Sequence, residues 1–444
     1  MKRRSFIKKT AIASAGIIGM PYIIPSGRLF ASTGTRLVNH VVFVLFAGGL
    51  RNQESVDMQY LQDQNPLLPS GNVMPNILEG NTPNSNLVYT PWSPILSTPL
   101  SKQGTLYKEL MYSQGPTGHY NGHTVAITGN YTETGLNLNV NPDNPTVFEY
   151  YLKHNSPSQT ALKTWWLSEG LGPYPSLNFS KHPLYGPQYG ANYLHPATIF
   201  NDGYEYLQNA VNYQPDDVSR IQNIKDLLNN NFNKEATDLP GIINTDESKE
   251  QIKSFLLETI DKAKNGTFDF ALPSGINSGQ LSGDLINIST AWQVMGAFAP
   301  ELTVINTFNL DSCHNSFSNY FNFLHKADYG VGWLWNKIQS DPVLANDTIL
   351  ICMPEHGRNS TPNSLSDSNG LFAYDHTSDY NSRRMFALIV GPSGVVNQDL
   401  VIGDQSNPVG EAIDIVPTIS HILGYHDQIP AGYLPGNVLT QAFV

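Results

Sequence analysis

A carboxylate and an imidazole stand side by side at Glu355-His356, followed by the permissive turn residue Gly357 and the cation of Arg358. Oxygen and nitrogen donors on such a turn can grip one metal ion from two directions. Farther along, Asp375-His376 precedes the apolar run from Met385 to Val390. Upstream, Asp311-Ser312-Cys313-His314 offers another acid and imidazole, and Gly118-His119-Tyr120-Asn121-Gly122-His123 adds two more imidazoles. Such a mixture suits a divalent ion: zinc where imidazoles dominate, and magnesium, manganese or calcium as oxygen ligands increase. A single histidine more often ligates nothing. The case for a metal rests on several of them falling at the ends of apolar runs.

Those runs are the elements that must position the donors. The β-branched, apolar stretch from Thr348 to Met353 reads as a strand buried on both faces, as in a parallel sheet, and open α/β sheets place ligands at the C-terminal ends of such strands. A strand from His40 runs into Gly48-Gly49. The spacing predicts a short helix around Val73 to Glu79, a strand near Tyr107 to Ser113, a helix starting within Thr124 to Gly129, and another over 146–154. Trp165 to Glu169 reads as a strand, and Asp216 to Asn230 and Ser248 to Asn265 have helical spacing. A helix from Ser289 to Pro300 feeds a strand from Leu302 to Phe308. A helix from Phe321 to Ser340 then leads into the Thr348 strand. Tyr185, Tyr189 and Tyr193 sit in a Gly/Pro-rich stretch where packing of a long loop outweighs the lining of a sugar pocket.

The 444 residues, 40% hydrophobic and without an internal repeat, suit one large α/β domain with an insertion at about 155–285. Two cysteines are too few for a disulfide scaffold, and Cys352 lies inside a core strand. Lys2-Arg3-Arg4-Ser5-Phe6-Ile7-Lys8-Lys9 ahead of a short apolar stretch matches a twin-arginine export signal over residues 1–31. That predicts passage through the twin-arginine machinery to a periplasmic or extracellular location, without a stable membrane span. Residues 1–31 hold six basic and no acidic side chains, so their removal takes the net charge from −12 to −18. Such a surface repels nucleic acid.

Val38-Asn39-His40-Val41-Val42-Phe43-Val44-Leu45-Phe46-Ala47-Gly48-Gly49, the His119 segment ending in Thr128-Gly129, and Asp414-Ile415-Val416-Pro417-Thr418-Ile419 through Gly424 together resemble the alkaline phosphatase superfamily of phosphatases, phosphodiesterases and sulfatases. With the Glu355 turn they occur in that family's order and span roughly residues 38 to 444. The turn and the later Asp-His are similar to a sulfatase-like branch of bacterial exported proteins. The resemblance implies a mostly parallel central sheet with helices on both faces. It also implies that Asp311, His314 and His376 hold one metal, and that Glu355 and His356 stand where the family holds a second.

Departures from the family pattern shape the expected chemistry. Ala47 stands where the resemblance expects a metal-binding Asp, and His119 stands at the position of the family's nucleophile. Thr117 and Thr124 are the nearest hydroxyls, and neither is in register. The enzyme expected is therefore an exported hydrolase of phosphate or sulfate esters, small-molecule or glycan, that uses metal-activated water. His119 would be its base or, in a rebuilt site, a nitrogen ligand, His123 a further base or nitrogen ligand, and Arg358 and Arg51 its anion clamps. The alternative is a non-catalytic binding or structural protein on the same fold.

Overall fold

The computed structural model describes residues 34–59, 70–83, 88–133, 140–155, 161–168, 174–196, 242, 244–377 and 379–444. The expected export signal over residues 1–31 and the predicted helix from Asp216 to Asn230 lie outside these residues.

Among the described residues, eight strands form one sheet in the order β4-β3-β5-β1-β6-β7-β2-β8. They are β1 (His40–Phe46), β2 (Gly104–Met111), β3 (Thr164–Ser168), β4 (Asn192–Leu194), β5 (Leu302–Asn306), β6 (Thr348–Pro354), β7 (Arg384–Val390) and β8 (Leu400–Ile402). β1 pairs in parallel with β5 and β6, whereas β7 runs antiparallel to both β6 and β2. The sheet is thus mostly parallel, with β7 reversed inside it.

Every residue of β1, β6 and β7 is buried, which explains their continuous apolar composition. Alternation sorts their side chains between two cores. Val42, Val44, Leu350 and Cys352 face one core with Phe255, Leu285 and Phe317. Val41, Phe43, Ile349 and Ile351 face the other with Val125, Phe148 and Ile419. Helices therefore cover both faces: α3 (Asp246–Lys264), α4 (Gly283–Phe298) and α5 (Phe317–Ser340) one, and α1 (His119–Thr128), α2 (Val147–His154) and α6 (Ile415–Ile422) the other.

Several local expectations shift. Residues 73–79 form turns rather than a helix, because Asp328 accepts the Asn76 and Ile77 N–H groups and fixes that loop from outside. The helix expected to begin within Thr124 to Gly129 begins at His119 and ends there, closed by Gly129 at φ 67°. α4 starts earlier than expected because the Ser282 hydroxyl caps it, and α5 starts earlier because Ser316 caps it. Tyr185 and Tyr193 are buried and Tyr189 packs against the same core, so the packing role expected for them holds.

Candidate metal centre

Parallel β1, β5 and β6 deliver their C-terminal ends to one rim. There, β1 continues into Ala47-Gly48-Gly49, β5 into the 3-10 turn Asn309–His314, and β6 into Glu355-His356. Because β7 runs the other way, the segment entering it reaches the same rim and brings Asp375 and His376. Strand β2 also ends there and leads to α1, whose first residue is His119.

The backbone can converge this tightly only because side chains are missing at the turn after β1. Gly48 has φ 95°, and a Cβ there would lie 2.2 Å from the Asp311 nitrogen. Gly49 has φ 78°, and its Cβ would meet His356 Cε1 at 2.5 Å.

Two groups of donors result. His119, Asp311, His314 and His376 each present one donor atom, all within 4.8 Å of one another, and so do His119, Glu355 and His356. In the first group, Asp311 Oδ1 lies 3.1 Å from both His119 Nε2 and His314 Nε2. In the second, His119 Nδ1 is 2.8 Å from Glu355 Oε1, His356 Nε2 is 3.3 Å from the same oxygen, and the two nitrogens are 3.4 Å apart. Glu355 and His356 form the buried floor, whereas the Asp311 and His314 side chains are 27% and 28% exposed and form the mouth.

Outer contacts set the tautomers. His376 Nδ1 lies 2.6 Å from the Thr117 carbonyl, His356 Nδ1 lies 2.7 Å from the Gly357 carbonyl, and His314 Nδ1 lies 2.6 Å from Asp375 Oδ1. Each partner can only accept, so each Nδ1 donates and each Nε2 is turned inward. The Thr117 hydroxyl donates to the His376 carbonyl and so is already engaged. Gly48 N–H donates to Glu355 Oε1 at 2.6 Å, which brings a carboxylate to the end of β1 beside Ala47.

Electrostatics follow from burial and crowding. Burial opposes ionisation of Glu355, yet His123, His356 and His119 outweigh it and hold the carboxyl well below its usual range. Burial would raise Asp311, but hydrogen bonds from His119 and His314 and the Arg358 charge bring it down. Burial and the neighbouring imidazoles push His376 far down, so it stays neutral. Burial would lower His119 too, but the Glu355 charge and the Asp311 and Glu355 hydrogen bonds raise it to about 9.

Three expected roles are revised. Arg358 and Arg51 are fully buried and cannot clamp a substrate anion. Arg358 donates to the carbonyls of Gly48, Gly49, Leu310 and Tyr374 and to Asp311 Oδ1, tying the loops after β1, β5 and β6 together. Arg51 pairs with Glu54 and lies 3.9 Å over the Tyr374 ring. His123 is buried behind Glu355: its Nδ1 sits 2.5 Å from Glu355 Oε2 and 2.6 Å from the His119 carbonyl, and its Nε2 sits 2.8 Å from Asn306 Oδ1. It supports the floor from behind through Glu355 and is not itself a member of either donor group. His119 has both ring nitrogens on carboxylates, which leaves no open lone pair for a base. Asp375 was visible in the sequence only as a neighbour of His376. Its part in orienting His314 could have been suspected from the Asp-His pairing but not assigned.

No protein-family model matches the chain, and no curated protein does. Among solved structures it is similar to a protein in the alkaline phosphatase superfamily from Vibrio parahaemolyticus, at 12% identity over 99% of this chain and 79% of that one, with a TM-score of 0.43. It is also similar to a mutant of the alkaline phosphatase PafA, at 10% identity over 93% of this chain and 100% of that one, with a TM-score of 0.46. A third is a phosphonate monoester hydrolase from Silicibacter pomeroyi, at 14% identity over 90% of this chain and 76% of that one, with a TM-score of 0.39. Likeness this remote assigns no activity.

Proposed function

We propose that this chain is an exported, metal-dependent hydrolase of phosphate or sulfate esters. One observation carries the reading: His314, His356 and His376 each tie Nδ1 to an outer acceptor and turn Nε2 toward Asp311 or Glu355 at one rim. Histidines that merely fill space have no need of so uniform an orientation, whereas metal ligands do.

The donor set fits a divalent cation. Tetrahedral ligands at about 2.0–2.1 Å from zinc stand about 3.4 Å apart, and the donor pairs of the floor triangle stand 2.8, 3.3 and 3.4 Å apart. Asp311, His314 and His376 would hold an ion at the mouth, and Glu355 with His356 would complete a site on the floor. Zinc suits the imidazole-rich donors; magnesium, manganese and calcium are the alternatives. A divalent ion in this place supplies Lewis-acid polarisation of an ester oxygen and acidifies water.

The chain's own residues do the rest. Arg358 offsets the Asp311 charge while fixing three loops. Asp375 orients His314, and the Thr117 carbonyl orients His376. Substrate would approach from the half-open side formed by Asp311, His314 and Asp375, and a net charge of −18 without residues 1–31 disfavours polyanionic substrates. The twin-arginine pattern at Arg3-Arg4 supports export of the folded chain, and among the described residues no helix is long and apolar enough to cross a membrane.

The test is hydrolysis of an aryl phosphate, an aryl phosphodiester and an aryl sulfate by purified protein loaded with zinc, magnesium, manganese or calcium. Turnover of at least one, lost in His376→Ala together with bound metal, is expected. Metal binding with no turnover of any ester would leave the non-catalytic reading.

A further inference from the structure

We propose that His119 is a bridging ligand, one imidazole ring linking two divalent cations through its two nitrogens. Nδ1 would join Glu355 and His356 at the buried floor, and Nε2 would join Asp311, His314 and His376 at the mouth. The inference rests on the metal centre proposed above, but not on hydrolysis.

His119 differs from the other histidines of the centre. His314, His356 and His376 each spend Nδ1 on an outer carboxylate or carbonyl and offer one inward nitrogen. His119 spends neither nitrogen outward. Its Nδ1 lies 2.8 Å from Glu355 Oε1 and 3.4 Å from His356 Nε2, while its Nε2 lies 3.1 Å from Asp311 Oδ1. It is the one residue common to both donor groups. Its ring centroid lies 5.3 Å from that of His356 on the floor and 4.5 Å from that of His376.

The backbone holds the ring in that place. His119 is the first residue of α1, and its carbonyl is engaged by His123 Nδ1. Gly122, one turn along, lets the helix press onto the Glu355 backbone: a Cβ there would lie 2.7 Å from the Glu355 carbonyl oxygen. Two edges of the floor triangle, at 3.3 and 3.4 Å, match those of a tetrahedral cation site, the third is shorter at 2.8 Å, and without Nδ1 the triangle would keep only two donors.

The proton balance is simple. An imidazole that binds cations through both nitrogens carries no ring proton, so each ion that binds displaces one ring proton to the buffer. The competing arrangement replaces one cation by a proton. His119 then remains protonated between Asp311 and Glu355, and the chain binds a single ion.

Metal content and magnetism separate the two without any assay of activity. Full-length protein stripped with a chelator and titrated with zinc should take up two ions per chain, measured by elemental analysis after gel filtration. Loaded instead with two equivalents of copper(II), it should show an exchange-coupled spectrum in electron paramagnetic resonance, because the imidazole ring connects the two spins. His119→Gln should abolish the coupling, and His356→Ala should reduce zinc to one ion per chain. A single zinc per wild-type chain, or two copper ions with the spectrum of isolated centres, would overturn the bridge. The wild-type spectrum decides this even if a variant fails to fold. Two coupled ions without ester hydrolysis would keep the bridge and sink the proposed function instead.

Discussion

Asp375 provides the sharpest test of how the centre is held together. Its Oδ1 lies 2.6 Å from His314 Nδ1 and also accepts from Asn363 Nδ2 at 3.1 Å. Loss of such an outer partner typically weakens metal binding about 10- to 100-fold. The Asp375 side chain is 43% exposed, so water can replace part of the interaction and the lower end applies. Asp375→Ala should therefore raise the zinc dissociation constant about tenfold, or ~1.4 kcal/mol. Asp375→Asn can still accept from Nδ1 but without charge assistance, which is worth about twofold in bond strength, so about half that energy should be lost. Competition against a chromophoric zinc chelator at neutral pH gives both constants, with thermal melts of the metal-free proteins as a control on folding. The decisive arm is His314→Ala: in that background Asp375→Ala should cost almost nothing, because the side chain acts through His314. Equal losses in both backgrounds, or zinc affinity within about twofold of wild type for both Asp375 variants, would refute the orienting role.

Arg358→Met should destabilise the fold by about 3 kcal/mol in urea titrations, because it strips the Gly49, Leu310 and Tyr374 carbonyls of a fully buried donor and removes one of the partners of Asp311. Wild-type stability with only a raised KM would restore the anion-clamp role. In metal-free protein, the His119 imidazole raised from 6.5 to about 9 contributes stability that is complete below pH 6.5 and lost as pH rises toward 9. Stability measured across that interval should fall by roughly 3 kcal/mol in wild type, the energy of the shift, and stay flatter in His119→Gln. Arg3→Lys/Arg4→Lys should hold the folded precursor in the cytoplasm on cell fractionation, and normal export of that double variant would refute the twin-arginine route.

Local chemistry wrote much of this protein plainly in its sequence. The buried strands β1, β5, β6 and β7 are legible as apolar runs because a strand covered on both faces has no polar side to show. The candidate donors Glu355 and His356 are legible as polar residues at the end of such a run, whereas Asp311, His314 and His376 are picked out by the family resemblance, and the structure brings all five to one rim. The Arg3-Arg4 pattern that motivates the export proposal is likewise a matter of local composition. What periodicity cannot convey is direction and burial over long separations. That β7 runs backward, and so returns Asp375 and His376 to the rim, depends on its pairing with β6 and β2. That Arg358 and Arg51 are spent inside the protein depends on loops distant in sequence closing over them. His119 and His123 lie one helical turn apart and look alike in sequence. Only the packing of α1 against the Glu355 turn sends one ring between the two donor groups and the other behind Glu355, because a side chain's role is fixed by what the neighbouring elements bring within bonding distance of it.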